Sequence, residues 1–319
     1  MEGGVVKPGT DRTTSAVIHA EVVGLGQACV DYLGTLPSFP KEDGKVELKD
    51  LQMLCGGPAS TALVTLSRLG IRTSFLGSIS DDPAGQKILA NLKEEAVDTS
   101  LLKITPGYTS QFAFIAITEG TGRRTIFWHR GSVPCLSKED VDLVSFRRAS
   151  ILHVDGLMIE AAVEAAIQAR ELGMTVVMDA GTMREGSKDL VSLVDVLIAS
   201  ETFASPLLGP DETAEKALPA LRELGPRDVV ITLGGKGSVG INDQGFFRQR
   251  AFPVRAVDTT GAGDVYHGGY IYGLLQGWDM PRCMAFASAV AALKCRRIGA
   301  QAGIPDLRTV REFLAINRV

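Results

Sequence analysis

From Ile151 to Leu233 the chain alternates short apolar runs with helix-like stretches, and this alternation constrains the fold more than any other feature. The runs are Ile151–Val154, Thr175–Asp179, Val194–Ala199 and Asp228–Leu233, with helices between them, for example over 160–172. Strands covered on both faces read as continuous apolar runs, and parallel neighbours need a crossover between them. The spacing predicts a mainly parallel central sheet with helices on both faces, a three-layer α/β/α architecture. The N-terminal part carries the same signals. Residues 20–26 read as a buried strand ending in glycines, Gly56-Gly57-Pro58 opens a helix over 59–69 that stops at Gly70, and 73–79 reads as the next strand. Proline just inside a helix and glycine just past it are the expected asymmetry.

Two segments, near 32–52 and 107–133, do not belong to that rhythm. In the second, Phe112, Phe114 and Ala116 alternate with their neighbours, a turn follows at 119–122, and Thr125–Trp128 returns as a hairpin. The two excursions are expected to form a small separate β-sheet, a lid on one domain spanning 19–319. Residues 1–18 are read as a flexible tail without the apolar core of a signal peptide.

Composition excludes several classes. Lys and Arg number 33 and Asp and Glu 37, a net charge of −4, so there is no basic excess for nucleic acid and no basic block for a membrane surface. No stretch reaches the roughly 18 apolar residues of a membrane-spanning helix. The five cysteines fall in no C-x-x-C pair and are read as mostly buried thiols, which fits a reducing cytoplasm.

The segment Val257-Asp258-Thr259-Thr260-Gly261-Ala262-Gly263-Asp264, followed by an apolar run, describes a small-residue loop entering a helix. Free amides of a first helical turn, with the helix dipole behind them, favour an anion. A carboxylate, Asp264, stands at the same helix start. Beside a bound phosphate it would serve to accept a proton from an attacking hydroxyl, which together describes phosphoryl transfer. Taken alone, Asp264 reads equally as a helix cap. Likewise, taken alone, Asp31 reads as a turn residue, Asp179 as a cap, Gly234–Gly237 as a turn, and His129 and Arg130 as surface charges.

Asp258–Gly268 closely resembles the C-terminal signature of the ribokinase-like (PfkB) sugar kinases, with Tyr266 in the usual Phe place. The resemblance extends over roughly 20–315. Val23-Gly24-Leu25-Gly26, Gly56-Gly57-Pro58-Ala59, Gly77–Gly85, Thr232–Gly237 and Gly299–Pro305 follow in the family's order. It implies a ribokinase-like fold and a kinase that moves the γ-phosphate of ATP to a primary hydroxyl of a ketose or similar furanose. Asp264 would be the base, with the amides of Gly261, Ala262 and Gly263 as the anion hole. Asp31, Gly56 and Gly57 would bind the sugar, with Lys45 and His129 near it. Thr232, Gly234, Gly237 and Ser288 would line the nucleotide groove, with Asp179 near the phosphates and magnesium. Asp258 and Thr260 would hold a monovalent cation, potassium, unless Asp258 caps the loop or Arg296 or Arg297 supplies the charge. The lid would also join two copies into a homodimer.

Three features depart from the pattern. Ser200 and Phe203 stand where the family often has the Asn and Glu of a magnesium motif, Pro58 replaces a sugar-contacting Asn, and no ribose-specific feature stands out. Pro58, Lys45 and the C-terminal segment resemble a branch including sulfofructose kinase, and Arg123–Ile126 with His129 resembles ketohexokinase. A kinase of an already anionic sugar, served by Lys45, Arg123, Arg124 and Arg130, therefore remains open, as does a non-catalytic sugar- or nucleotide-binding regulator.

Overall fold

The structure, a computed structural model, describes residues 18–121, 123–209 and 212–317. Eight strands form the main sheet in the order Gly245–Gln249, Ser238–Asn242, Asp228–Thr232, Val196–Ser200, Thr175–Ala180, Ile151–Val154, Val22–Leu25, Thr73–Leu76. The last six are mutually parallel and the first two form an antiparallel hairpin at one edge. The parallel strands are almost wholly buried, as their apolar runs require. One core cluster, with the helix Ile159–Glu171, lies on one face. The other, with the helices Pro58–Arg68, Ala262–Leu275 and Met280–Lys294, lies on the opposite face. The expected tail at 1–18 falls outside the described residues except Ile18, whose amide donates to the Ser145 carbonyl at 2.9 Å.

The second sheet has four strands in the order Asp50–Gly56, Cys29–Leu36, Phe112–Thr118, Arg124–His129. The two excursions thus pair with each other: Cys29–Leu36 runs parallel to Phe112–Thr118, and each carries an antiparallel partner on its other side. Side chains alternate across this sheet with period 2, so register decides what faces the main domain. Leu54, Asp31, Ala113 and Trp128 form one cross-strand row, and Gln52, Leu33, Ile115 and Ile126 the next on the same face. Met53, Tyr32, Phe114 and Phe127 form a row on the opposite face, where Phe127 is 52% exposed.

Among the described residues no helix is long and apolar enough to cross a membrane. All five cysteines are free; four are buried, but Cys135 is exposed.

Candidate active site

Ligands of open α/β sheets bind beyond the carboxyl ends of the strands, and those ends face the inner side of the small sheet here. Between them lies a cavity of about 310 Å³. Its floor is built from Gln27, Asp155 and Asp179 with Gly181, at or just past the ends of adjacent strands, and from Thr260, Gly261 and Asp264 at the start of the helix Ala262–Leu275. Its roof is Asp31, Ala113, Ile115, Arg124, Ile126 and Trp128.

Asp264 occupies the first turn of the helix Ala262–Leu275. That helix starts at Gly261, which is left-handed at φ 73° and has no side-chain cap bond. An L-residue at that φ is strained. A Cβ there would also stand 2.7 Å from that of Ala300. The helix itself is buried between Pro58–Arg68 and Met280–Lys294, so the direction of its N-terminus is fixed by packing. Asp264 accepts no hydrogen bond among the described residues, and its carboxyl borders the cavity. Burial, then the Asp179 carboxylate, pushes its pKa up to about 7.

Asp31 enters from the roof, 3% exposed, and accepts a bond from the Cys29 thiol at 3.1 Å. Burial pushes it up to about 6. Gly56 makes room for it: a Cβ on Gly56 would lie 2.1 Å from Asp31 Oδ2. Asp179 is pushed up to about 8 by burial and by Asp155. His267 Nε2 lies 3.5 Å from Asp179 Oδ1. The ring nitrogens of His267 also face the carbonyls of Gly263 (2.7 Å) and Ile198 (3.2 Å), and burial lowers its pKa. The imidazole therefore ties the turn that holds Asp264 to the strand ends behind it. Asp155 accepts the amides of Gln27 at 2.6 Å and Leu157 at 3.1 Å, and burial pushes it up to about 6.

The model of the family described as pfkB family carbohydrate kinase matches residues 19–307. The chain belongs to that family. Its sequence is 30% identical to the ribokinase of Haemophilus influenzae over 301 residues, covering 91% of this chain and 97% of that one. It is 25% identical to a 5-dehydro-2-deoxygluconokinase of Clostridium perfringens over 92% of each chain. Among solved structures it is similar to an Arabidopsis thaliana ribokinase complexed with ribose and ATP. The TM-score is 0.79 at 25% identity, covering 93% of this chain and 99% of that one. The fold is ribokinase-like, and the protein is a carbohydrate kinase, a phosphotransferase with an alcohol group as acceptor.

Of the site residues expected for this pfkB kinase, the cavity gathers Asp31, Gly57, Asp179, Thr260, Gly261 and Asp264. Gly56 packs behind Asp31, and Ala262 and Gly263 complete the turn. Thr232 pairs with Ser200 one strand further along the same edge, and Gly234 and Gly237 form the turn after it. Ser288 is buried in the helix Met280–Lys294. None of these four borders the cavity.

Two expected sugar contacts stand elsewhere. Lys45 is exposed in the turn before Asp50. His129 lies one residue from Trp128 on the period-2 strand and therefore on the other face, stacked on Phe112 at 5.0 Å. Sequence reasoning missed Asp155, Arg184 and Gln27 as lining residues, and left Arg124 as one basic candidate among several. Asp155 carried a usable signal, since it directly follows an apolar strand as Asp179 ends one.

The cation expected on Asp258 and Thr260 meets an occupied position. Lys294 Nζ donates to the carbonyls of both residues, at 3.1 Å for Asp258, and lies 3.9 Å from Asp258 Oδ2. Arg296 and Arg297, the alternative cations, are exposed.

At the departures from the magnesium motif, Ser200 Oγ donates to the Gly181 carbonyl at 2.7 Å and caps the short turn Glu201–Ala204 through the Phe203 amide at 3.1 Å. Phe203 is fully buried. No cluster of three or more metal-ligating side chains occurs among the described residues. Magnesium that arrives with nucleotide phosphates needs only one or two carboxylates and water. Asp179, with no closer partner than His267 at 3.5 Å, fits that demand.

Proposed function

We propose that this kinase transfers the γ-phosphate of ATP to a primary hydroxyl of a ketose or similar furanose held under the small sheet. The observation that carries the reading is Asp264, an uncapped, half-buried carboxylate at the N-terminus of a buried helix, in one cavity with Asp31. Asp31 accepts hydrogen bonds from sugar hydroxyls, while Ile126 and Trp128 cover the ring. The hydroxyl to be phosphorylated gives its proton to Asp264 as its oxygen bonds to the γ-phosphorus. The bond from that phosphorus to the bridging oxygen breaks, and ADP leaves with the electron pair. The amides of Gly261, Ala262 and Gly263 stabilise the charge on the transferring group. Thr232, Gly234, Gly237 and Ser288 hold the nucleotide along the neighbouring strand end. Asp179 would hold the magnesium, which supplies neutralisation of the phosphate charges when bound. The small sheet acts as a lid, excluding water as a competing acceptor.

A second reading has an observation of its own. Arg124 and Arg184 both border the cavity, so a sugar that already carries an anion has two cations to meet. A coupled ADP-release assay across neutral ketoses, pentoses, nucleosides, sugar acids and sugar phosphates tests both. Turnover of a neutral ketose or furanose supports the first reading, preference for an acid or phosphate the second, and no ADP release with any of them overturns both.

The lid's outer face exposes Phe39, Leu51, Met53 and Phe127. It suits a second copy of the chain, giving a homodimer. Sedimentation at micromolar concentration checks this, and a monomer there refutes it.

A further inference from the structure

The loop that leads into the anion-binding turn closes around a side chain that no motif includes. Lys294 ends the helix Met280–Lys294, and its side chain is completely buried. Its ammonium donates to the carbonyls of Asp258 and Thr260 and faces Asp258 Oδ2 at 3.9 Å. Asp258 is itself fully engaged. Oδ1 accepts the Thr260 amide (2.8 Å) and hydroxyl (2.7 Å), and Oδ2 accepts the Gly299 amide (2.8 Å). Three donors thus fix the orientation of that carboxylate. A buried carboxylate and two inward-turned carbonyls make a cage for one positive charge, and Lys294 provides it.

The consequence reaches the cavity through covalent geometry. The Thr260 carbonyl and the Gly261 amide belong to one trans peptide, so they point in opposite directions. With the carbonyl fixed on the ammonium behind the loop, the Gly261 N–H is turned away from Lys294, on the side where Thr260 and Gly261 border the cavity. A cation on the carbonyl also polarises the peptide and strengthens that N–H as a donor.

We propose that Lys294 is a positioning residue that acts as a resident cation for the anion hole, so that turnover needs no monovalent metal ion. The inference rests on the kinase reading for its rate measurements. Its melting measurement does not depend on that reading.

The test compares initial rates at fixed magnesium and ATP in choline chloride and in potassium chloride of equal ionic strength. Wild type is expected to run equally fast in both. Lys294→Ala empties the cage, and loss of an oriented donor predicts a fall in kcat of about 10²-fold in choline chloride. Potassium or ammonium chloride should restore at least about tenfold of it, which a merely structural lysine would not allow. The same variant should melt at a higher temperature in potassium chloride than in choline chloride, while wild type melts equally in both. That shift reads the cation site even if no sugar is accepted. Lys294→Met, which keeps most of the apolar stem but has no charge and leaves no cage to fill, should lose turnover without rescue. Activation of wild type by potassium would overturn the proposal. So would a folded Lys294→Ala variant whose rate and melting ignore the ion, and, if that variant does not fold, a Lys294→Met variant that keeps wild-type turnover.

Discussion

Asp264→Asn separates the two things a carboxylate at a helix start can do. If Asp264 is the base, its replacement removes proton transfer, which typically contributes about 10²–10⁴-fold. At about 1.36 kcal/mol per decade that is roughly 3–5 kcal/mol of barrier. Stability should move the other way. The carboxyl titrates near 7 in the fold against an ordinary 3.8. A raised carboxyl pKa means that the folded state holds the proton more tightly, so this group's contribution is fully present below about pH 4 and is lost as pH rises through about 7. At pH 8 a rise of roughly three units costs folding on the order of 4 kcal/mol. The amide that replaces the carboxylate brings an unpaired buried polar group of its own, worth about 1–3 kcal/mol. The net expectation is a gain of roughly 1–3 kcal/mol at pH 8, and no gain at pH 4, where the wild-type carboxyl is protonated.

A helix cap predicts the reverse. Losing a capping carboxylate destabilises by about 0.5–2 kcal/mol. Two measurements decide: ADP release with the accepted sugar, and chemical denaturation at pH 8 and pH 4. The acid limb of kcat/KM in wild type should also fall tenfold per pH unit below about 7, because a protonated Asp264 takes no proton. An Asp264→Asn variant that keeps near wild-type turnover, or that is less stable at pH 8, would refute the base assignment.

Gly56→Ala drives a Cβ to within 2.1 Å of Asp31 Oδ2. Displacing that carboxylate should raise KM for the sugar roughly tenfold or more, and an unchanged KM would mean that Asp31 does not bind sugar. Arg124→Met distinguishes the two substrate readings. A fall in kcat for every sugar places the guanidinium on the transferring phosphoryl group, whereas a KM increase confined to anionic sugars places it on the substrate. Trp128 borders the cavity while Trp278 packs among Tyr272, Phe286 and Arg282. Sugar binding should therefore change tryptophan fluorescence in wild type and in Trp278→Phe, and fail to do so in Trp128→Phe.

The layers were legible because the chemistry that forms them is local. A strand buried on both faces is mostly apolar, and Ile151–Val154, broken only by the buried His153, begins and ends where its run does. The antiparallel hairpin Ser238–Gln249 was not visible. Its strands hold Gly240, Asn242 and Gln249, and Phe246 is exposed, so they lack the pattern of a covered strand. Within the site, Asp264 stood out by motif, while Asp31 entered only through the family resemblance. His129 was expected at the sugar from the resemblance to ketohexokinase, although alternation already places it on the face opposite Trp128. The small residue Ala113, between two phenylalanines, marked the cavity face instead. Lys294 was hidden by its company. Between Leu293 and Cys295 it reads as part of an apolar run, and only the fold brings it to Asp258, 36 residues earlier.

Two cations stand beside a cavity lined by carboxylates. Asp31, Asp155, Asp179 and Asp264 all border one cavity, and burial raises the pKa of each. A phosphoryl group entering there meets carboxylates on several sides, which by itself is repulsive. Two features oppose that repulsion at the loop Asp258–Gly261. Lys294 holds the loop's carbonyls from behind. Arg124 donates to the Thr259 hydroxyl from the small sheet. The first cation belongs to the core and is present whatever the sheet does. The second is carried on the strand whose inner face also bears Ile126 and Trp128. The residues that roof the cavity and the charge that reaches the loop Asp258–Gly261 therefore travel on one element. Any movement of that strand changes both together.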